Sequence, residues 1–266
     1  MHATKLIQLF QQLSPEEMFR LRDFVQSPYH NKNEHVVALF MYLDSRYPEF
    51  AEQHIERHTV WQKLYPDKIY DDLKLRHVAS LLLKVCEAFL QTEALREKPS
   101  LAGAQLLEAY RRKRLGKHFA GAKRALEQAM DKQGALRIPD HYHLYQALLE
   151  EELMQEYQQE RRSTTGLQGV ADKLDEAYLV AKLKQTCGMV SYENIYRQAY
   201  RYDLLDPILA HIEQANYTNA LLMGYYHGLM MLRNPEALDS FAALKGLLKD
   251  KATEIPFAEA QELHII

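Results

Sequence analysis

Helix starts and helix stops recur along this chain from one end to the other, and that punctuation restricts its fold more than any other feature. Ser14-Pro15-Glu16-Glu17 combines a serine N-cap, a proline at the first helical position and a glutamate placed to return the capping-box hydrogen bond. Met18, Leu21, Phe24 and Val25 follow at 3-4 spacing, and Ser27-Pro28 ends the run, because the residue before a proline disfavours α geometry. Glycine numbers only 10 in 266 residues, below the usual share of about 7%. Helix-favouring Ala, Leu, Glu, Gln, Lys and Arg fill most windows. An all-α chain is expected, without sheets built on tight glycine turns.

Val36, Val37, Leu39, Phe40 and Leu43 form the next amphipathic run, which ends before Tyr47-Pro48. A long helix over 70–96, with Leu73, Leu75, Val78, Leu81, Leu82, Val85, Phe89 and Leu90 on its apolar face, is expected to be the spine of an N-terminal helical subdomain. Between them, residues 50–66 carry Ile55, Val60, Trp61 and Leu64 in a pattern that suggests short helical turns. Lys98-Pro99-Ser100 marks a composition break, which divides the chain into a subdomain over 1–98 and a helical-repeat domain over 99–266.

After that break, helices alternate with turns short enough for antiparallel neighbours. The spacing predicts a hairpin of 101–114 with 118–132, turning at Leu115-Gly116-Lys117. A helix over 141–160 comes next, followed by a polar connector over 161–169 and a helix from Val170 through Leu183. Shorter elements are expected over 191–202, 207–215 and 218–232. Asn234-Pro235-Glu236 then opens a helix through Leu248 by an asparagine cap with proline at N1. The hairpins recur at about 40 residues but irregularly, unlike the ~34-residue period of a strict tetratricopeptide array.

Leu222, Met223, Gly224 and Tyr225, followed by Ala237, Phe241, Leu244 and Pro256, resemble the tetratricopeptide pattern with a one-residue shift. The resemblance implies antiparallel helical hairpins stacked as a degenerate tetratricopeptide-like solenoid. The phrase Phe24-Val25-Gln26-Ser27-Pro28-Tyr29-His30-Asn31-Lys32-Asn33, followed by Val36, Leu39, Phe40 and Leu43, resembles the opening of an uncharacterised bacterial family of long helical proteins that run on into further repeats. It implies a fold and a compartment, and brings no reaction, cofactor or catalytic residue with it. Residues 259–266 read as the middle of an amphipathic helix whose Leu263, Ile265 and Ile266 have no later partner, as in a chain cut short or covered there by another subunit.

Apolar residues make up 47% of the chain and charged residues 26%, enough for a folded core and against wholesale disorder. A net charge of -3 and a pI near 6.5 give no global field to gather nucleic acid or anionic lipid, so such a partner needs a local patch. Cys86 and Cys187 stand about 100 residues apart in apolar helical contexts, which provides neither a disulfide framework nor a CxxC motif. They read as buried thiols in a reducing compartment. No stretch approaches the ~20 apolar residues of a membrane span, so a cytoplasmic protein with no membrane partner is expected.

His54 and His58, with Glu56 between them, would present two imidazoles on one face of a helix, although the order matches neither HExxH nor HxxEH and no third ligand follows. His141 and His143 flank Tyr142 at a helix start, where solvent-facing rings are expected and joint ligation would need His118 or Asp140. No glycine-rich phosphate loop, nucleophile elbow or Cys-His pair in recognisable order occurs. No catalytic residue, metal or cofactor is therefore assigned, and the chain is expected not to be an enzyme.

Two surface features remain. Arg111, Arg112, Lys113 and Arg114, with Lys117, Lys123 and Arg124 beyond them, form a basic hairpin with Tyr110 and Phe119 interleaved and no acidic residue within 111–124. Such a cluster suits a phosphate backbone, or it stabilises a helix C-terminus against the macrodipole and solubilises the turn. Tyr192, Tyr196 and Tyr200 recur at four-residue spacing beside Arg197 and Arg201, which suits a peptide-binding groove or a seam between helices. The expected function is a non-enzymatic interaction module that binds a protein or peptide through Tyr192, Tyr196, Arg197, Tyr200 and Arg201. A nucleic-acid partner for the basic hairpin is the alternative.

Overall fold

The structure is a computed structural model that describes residues 4–157, 165–234 and 236–265, and among these every regular element is helical. The chain divides into two compact units, Met1–Glu97 and Lys98–Ile266. In the first unit, α1 (Lys5–Gln12), α2 (Pro15–Gln26), α3 (Glu34–Asp44), α4 (Glu52–Ile55) and α5 (Arg57–Leu64) precede α6 (Asp72–Arg96), against which α1, α2, α3 and α5 all pack. The capping box of α2 forms in full: Ser14 Oγ accepts from the Glu17 N–H at 3.2 Å, and Glu17 Oε2 accepts from the Ser14 N–H at 2.7 Å. Asn31 then ties α2 to α3, its side-chain amide donating to the Val25 carbonyl and its Oδ1 accepting from the Asn33 N–H, both at 3.0 Å.

Phe10, Phe40 and Phe50 lie wholly buried at the centre of this unit, with Phe10 edge-on to Phe40 at a centroid distance of 5.9 Å. The buried face of α6 is Leu75, Val78, Leu82, Cys86 and Phe89. Leu73 does not join it and is 74% exposed, because two residues before Leu75 it points about 200° round the helix. Glu56 is extended and separates α4 from α5, so His54 and His58 stand on two helices and share no face. His58 instead stacks on Tyr70 at 3.9 Å.

The second unit opens with the hairpin of α7 (Pro99–Arg112) and α8 (Gly116–Gln133), which turns at a left-handed Arg114 (φ 60°). Close approach is set by Gly103, where an added Cβ would meet Leu126 at 2.7 Å. Helix α9 (Ile138–Tyr157) packs on α7 and against α10 (Thr165–Tyr196). Then follow α11 (Leu205–Gln214), α12 (Ala220–Arg233), α13 (Leu238–Asp250) and α14 (Phe257–Ile265), with α12 taking α10, α13 and α14 around it. One apolar cluster joins α7, α8 and α9 through Leu107, Phe119, Leu126, Met130 and Met154; the other joins α10 to α14 around Leu183, Leu222, Tyr225 and Leu229.

Several expected boundaries differ. Of the connector expected over 161–169, residues 161–164 lie outside the described residues and 165–169 are the first turns of α10. No separate helix spans 191–202: α10 runs 32 residues to Tyr196, and residues 197–202 are not helical. Gly166 and Gly169 fall in the expected connector and Gly188 beyond Leu183, yet a glycine costs only about 1 kcal/mol inside a helix, and α10 packs on both α9 and α12. Helix α13 starts at Leu238, since Asn234 Oδ1 accepts from the Glu236 N–H in a turn, and Pro235 lies outside the described residues. Leu263 does find a partner: it is buried on α12, over Gly224, while Ile265 is 85% exposed and Ile266 lies outside the described residues.

Candidate functional site

The last turns of α10 expose three large apolar side chains: Tyr192 by 58%, Ile195 by 70% and Tyr196 by 67%. The rings of Tyr192 and Tyr196, one turn apart, stack at a centroid distance of 5.4 Å with 30° between their planes. The helix stops there because Arg197 turns left-handed (φ 55°), with its N–H still donating to the Glu193 carbonyl at 2.9 Å. The expected stripe on one helix face therefore ends after two tyrosines. Tyr200 leaves the helix and borders a cleft of about 540 Å³, together with Tyr192, Met189, Cys187, Tyr225 and Ile265. The connector is pinned by Tyr202, whose hydroxyl donates to Glu193. Arg197 and Arg201 are exposed on it, Arg201 lying 3.8 Å from Asp203.

In the wall of the cleft, which Lys184 and Glu262 also line, the Tyr225 hydroxyl donates to Glu259 and, at 3.1 Å, to Glu262, while Lys184 bridges the same carboxylates at 2.8 and 2.9 Å. Burial, then the two carboxylates, raise the Tyr225 phenol far above its ordinary value and keep it a donor. Cys187 is not poised to react: its thiol donates to the Tyr225 carbonyl at 3.5 Å, and burial pushes it up to about 12, as it does Cys86.

Three cations of the basic hairpin are paired with carboxylates from outside the 111–124 run. Arg111 bonds Glu150 of α9 at 2.5 Å, Arg112 bonds Glu108 one turn back at 2.5 Å, and Lys123 reaches Glu151 at 2.5 Å and Glu127 at 3.6 Å. Arg124 donates to the Ala120 carbonyl, Arg114 occupies the turn, and Lys113 and Lys117 are exposed beside it. The sequence pattern missed these partners because they stand on α9 or one helical turn away.

Burial overturns the expectation of a solvent-facing ring at His141, and His143 is half-buried. Asp140 is 1% exposed and His141 2%, while Ser100 is fully buried. Ser100 donates to Asp140 at 2.5 Å, and its oxygen lies 3.0 Å from His143 Nδ1. Burial acts to raise the Asp140 carboxyl, but hydrogen bonds from the Arg137 side chain, Ser100, Gln133 and the Arg137 backbone hold it at about 2. As a carboxylate it takes the only Ser100 proton, so His143 Nδ1 must carry a proton and donate. The order is His to Ser to Asp, the reverse of what activates a serine nucleophile. The legible signal was position: Asp140 is the third residue of α9 and accepts from the Arg137 N–H, as the returning half of a capping box does.

His141 Nδ1 lies 3.5 Å from Glu176 Oε1 without a hydrogen bond, and Glu176 is held by Lys173 at 2.6 Å and by Asn219, the N-cap of α12. Burial lowers the pKa of His141, against the Glu176 charge and with that of Lys173. It also lowers His143, against Asp140, and His227. The fold keeps these rings neutral where the unfolded chain, with imidazoles near ~6.5, takes up protons. The sign follows: the stability of the second unit is full above about pH 6.5 and is lost as the pH falls through the lowered native values. His141 contributes a slope of up to about 1.4 kcal/mol per pH unit, and the less buried His143 and His227 contribute less. Urea midpoints are expected to fall between about pH 7.5 and about pH 5.5, with a flatter slope in His141→Gln; an unchanged slope in that variant would refute the assignment.

Among the described residues no three His, Cys, Asp or Glu side chains stand together as a metal site, and no helix is long and apolar enough to cross a membrane. No protein-family model, curated protein or solved structure matches the chain.

Proposed function

We propose that this chain is a non-enzymatic interaction module that binds a protein or an extended peptide through Tyr192, Tyr196 and Tyr200, with Arg197 and Arg201 at the edge of the contact. The observation that carries this reading is a stacked pair of exposed tyrosines beside an apolar cleft. Tyrosine supplies large, rigid contact area with a hydrogen-bonding tip, and contiguous apolar exposure is uncommon on a surface with no partner. A degenerate tetratricopeptide-like stack is the architecture we infer for the second unit, supported by helices that pack on their neighbour and next-but-one neighbour, α7 with α8 and α9, α10 with α9 and α12. Membership of a bacterial family of helical-repeat proteins and a cytoplasmic setting, in keeping with two buried free thiols, complete the proposal.

Capture from host lysate with the full chain as bait tests it, run beside Tyr192→Ala/Tyr196→Ala and repeated after nuclease and in high salt. A defined protein is expected to survive nuclease and to be recovered at least about tenfold less by the double variant, given the usual weight of buried tyrosine anchors. Recovery that the double variant leaves unchanged would count against the tyrosine surface. Recovery abolished by nuclease would replace it with a nucleic-acid reading centred on the basic hairpin.

A further inference from the structure

We propose that the trough between α13 and α14 is a second docking groove, and that it takes an acidic amphipathic helix of a partner protein. Helices α13 and α14 both rest on α12 and pack little on each other, so they leave a channel floored by α12. Its volume is about 650 Å³, and Met231, Leu244, Leu248 and Leu263 form its floor and walls. At the lips Phe241 is 51% and Ile265 85% exposed. A pair of helices with an apolar channel between them is the receptor half of helix-in-groove recognition, in which anchors at i, i+3, i+4 and i+7 enter the channel.

Charge selects the occupant. No side chain lining the groove is acidic, while Lys245 and Lys249, one turn apart on α13, both border it. Among the described residues Lys245 and Lys249 have no carboxylate within 4 Å, as holds also for Lys113, Lys117, Lys132 and Lys182; what distinguishes Lys245 and Lys249 is the apolar groove that they border. An apolar channel with an unanswered cationic rim is complementary to a helix whose leucine-like anchors are flanked by glutamate or aspartate. The proposal rests on the interaction-module reading; the groove meets the tyrosine cleft at Ile265 and shares none of the tyrosines with it.

The probes are two fluorescent, helix-forming peptides with leucines at i, i+3, i+4 and i+7, one flanked by glutamates and one by lysines, titrated into the purified full chain by anisotropy. The glutamate peptide is expected to bind at least about tenfold more tightly, with an advantage that shrinks as salt is raised. Lys245→Glu/Lys249→Glu, whose folding is checked by its circular dichroism melt, is expected to invert the preference, and Phe241→Ser to weaken binding of either peptide. Equal affinities, a preference the lysine variant leaves in place, or no binding at all would overturn the proposal. So would a concentration-dependent dimer that shields Phe241 and excludes both peptides, because the occupant would then be a second copy. None of these failures touches Tyr192 or Tyr196, so the capture experiment still decides the broader reading on its own.

Discussion

Replacing Asp140 by alanine is expected to remove about 3 to 5 kcal/mol of stability from the second unit, the range for breaking a buried, hydrogen-bonded charge. The carboxylate is 1% exposed and accepts from the Ser100 hydroxyl, the Gln133 amide and both the backbone and the side chain of Arg137. Alanine leaves the Ser100 hydroxyl and the Arg137 N–H without their acceptor, and loses the link between the first turns of α7 and α9. The exposed half of the Arg137 guanidinium returns to water and adds little to the loss. Asp140→Asn keeps the shape and one acceptor oxygen, and is expected to fall in between. The wild-type contribution carries its own pH signature. The native carboxyl sits at about 2 and the unfolded one near ~3.9, so the stabilisation is complete above the unfolded value and is lost as the pH falls through the native one. Hydrogen exchange over the first turns of α7 and α9 should locate the effect there, and a change below about 1 kcal/mol would mean that the network is incidental.

The second large effect belongs to the other unit. Phe10→Ala is expected to cost about 3 to 5 kcal/mol, as large-to-small changes at sealed aromatic positions do. That is a large part of the ~5 to 15 kcal/mol that holds a domain together. Phe10 is wholly buried and meets Phe40 edge-on and Phe50 at 6.1 Å, so its removal opens a void between α1, α3 and the segment before α4. Phe10→Leu refills much of the volume and is expected to recover most of the loss. The only tryptophan of the chain, Trp61, is 2% exposed in this unit and donates to the Lys68 carbonyl, so its fluorescence reports the first unit alone. An unchanged tryptophan transition in Phe10→Ala would show that the aromatic cluster is not the centre of that unit.

Legibility followed the range of the interactions involved. Where residues within four positions of each other decide the outcome, the reading and the structure agree most closely: Ser14 and Glu17 start α2 as expected, and α7 and α8 form within two residues of their expected bounds, although Gly116, expected in the turn, is the first residue of α8. Local signals were misleading where partners came from afar. Gly166, Gly169 and Gly188 should weaken a helix, and only packing along α9 and α12 shows why α10 passes through them. Asn234 has the chemistry of a cap and was spent on a turn instead. His54 and His58 have the spacing of one helix face, yet Glu56 is extended between them. At the candidate surfaces the residue types were legible and their surroundings were not. Tyr192 and Tyr196 stack in the open, Tyr200 turns aside into a cleft, and Arg111 is claimed by Glu150. His141 read as a solvent-facing ring because burial by a neighbouring helix leaves no trace in a single stretch of sequence.

The length of α10 ties parts of the second unit to one another as gears on a shaft are tied. Its 32 residues span about 48 Å at 1.5 Å per residue. In the first half of the shaft Glu176 faces His141 of α9, further along Cys187 meets the Tyr225 carbonyl of α12, and the last turns carry Tyr192 and Tyr196. Adding or deleting one residue anywhere between Glu176 and Tyr192 would swing everything beyond it by about 100°, and with it the azimuth of the tyrosines relative to α9. A change of about seven residues, two turns less roughly 20°, or of about eleven, three turns plus roughly 20°, returns them to the same side. Substitutions can tune this surface one side chain at a time, but along α10 the chain can grow or shrink only by steps close to a whole number of turns, such as about seven or eleven residues.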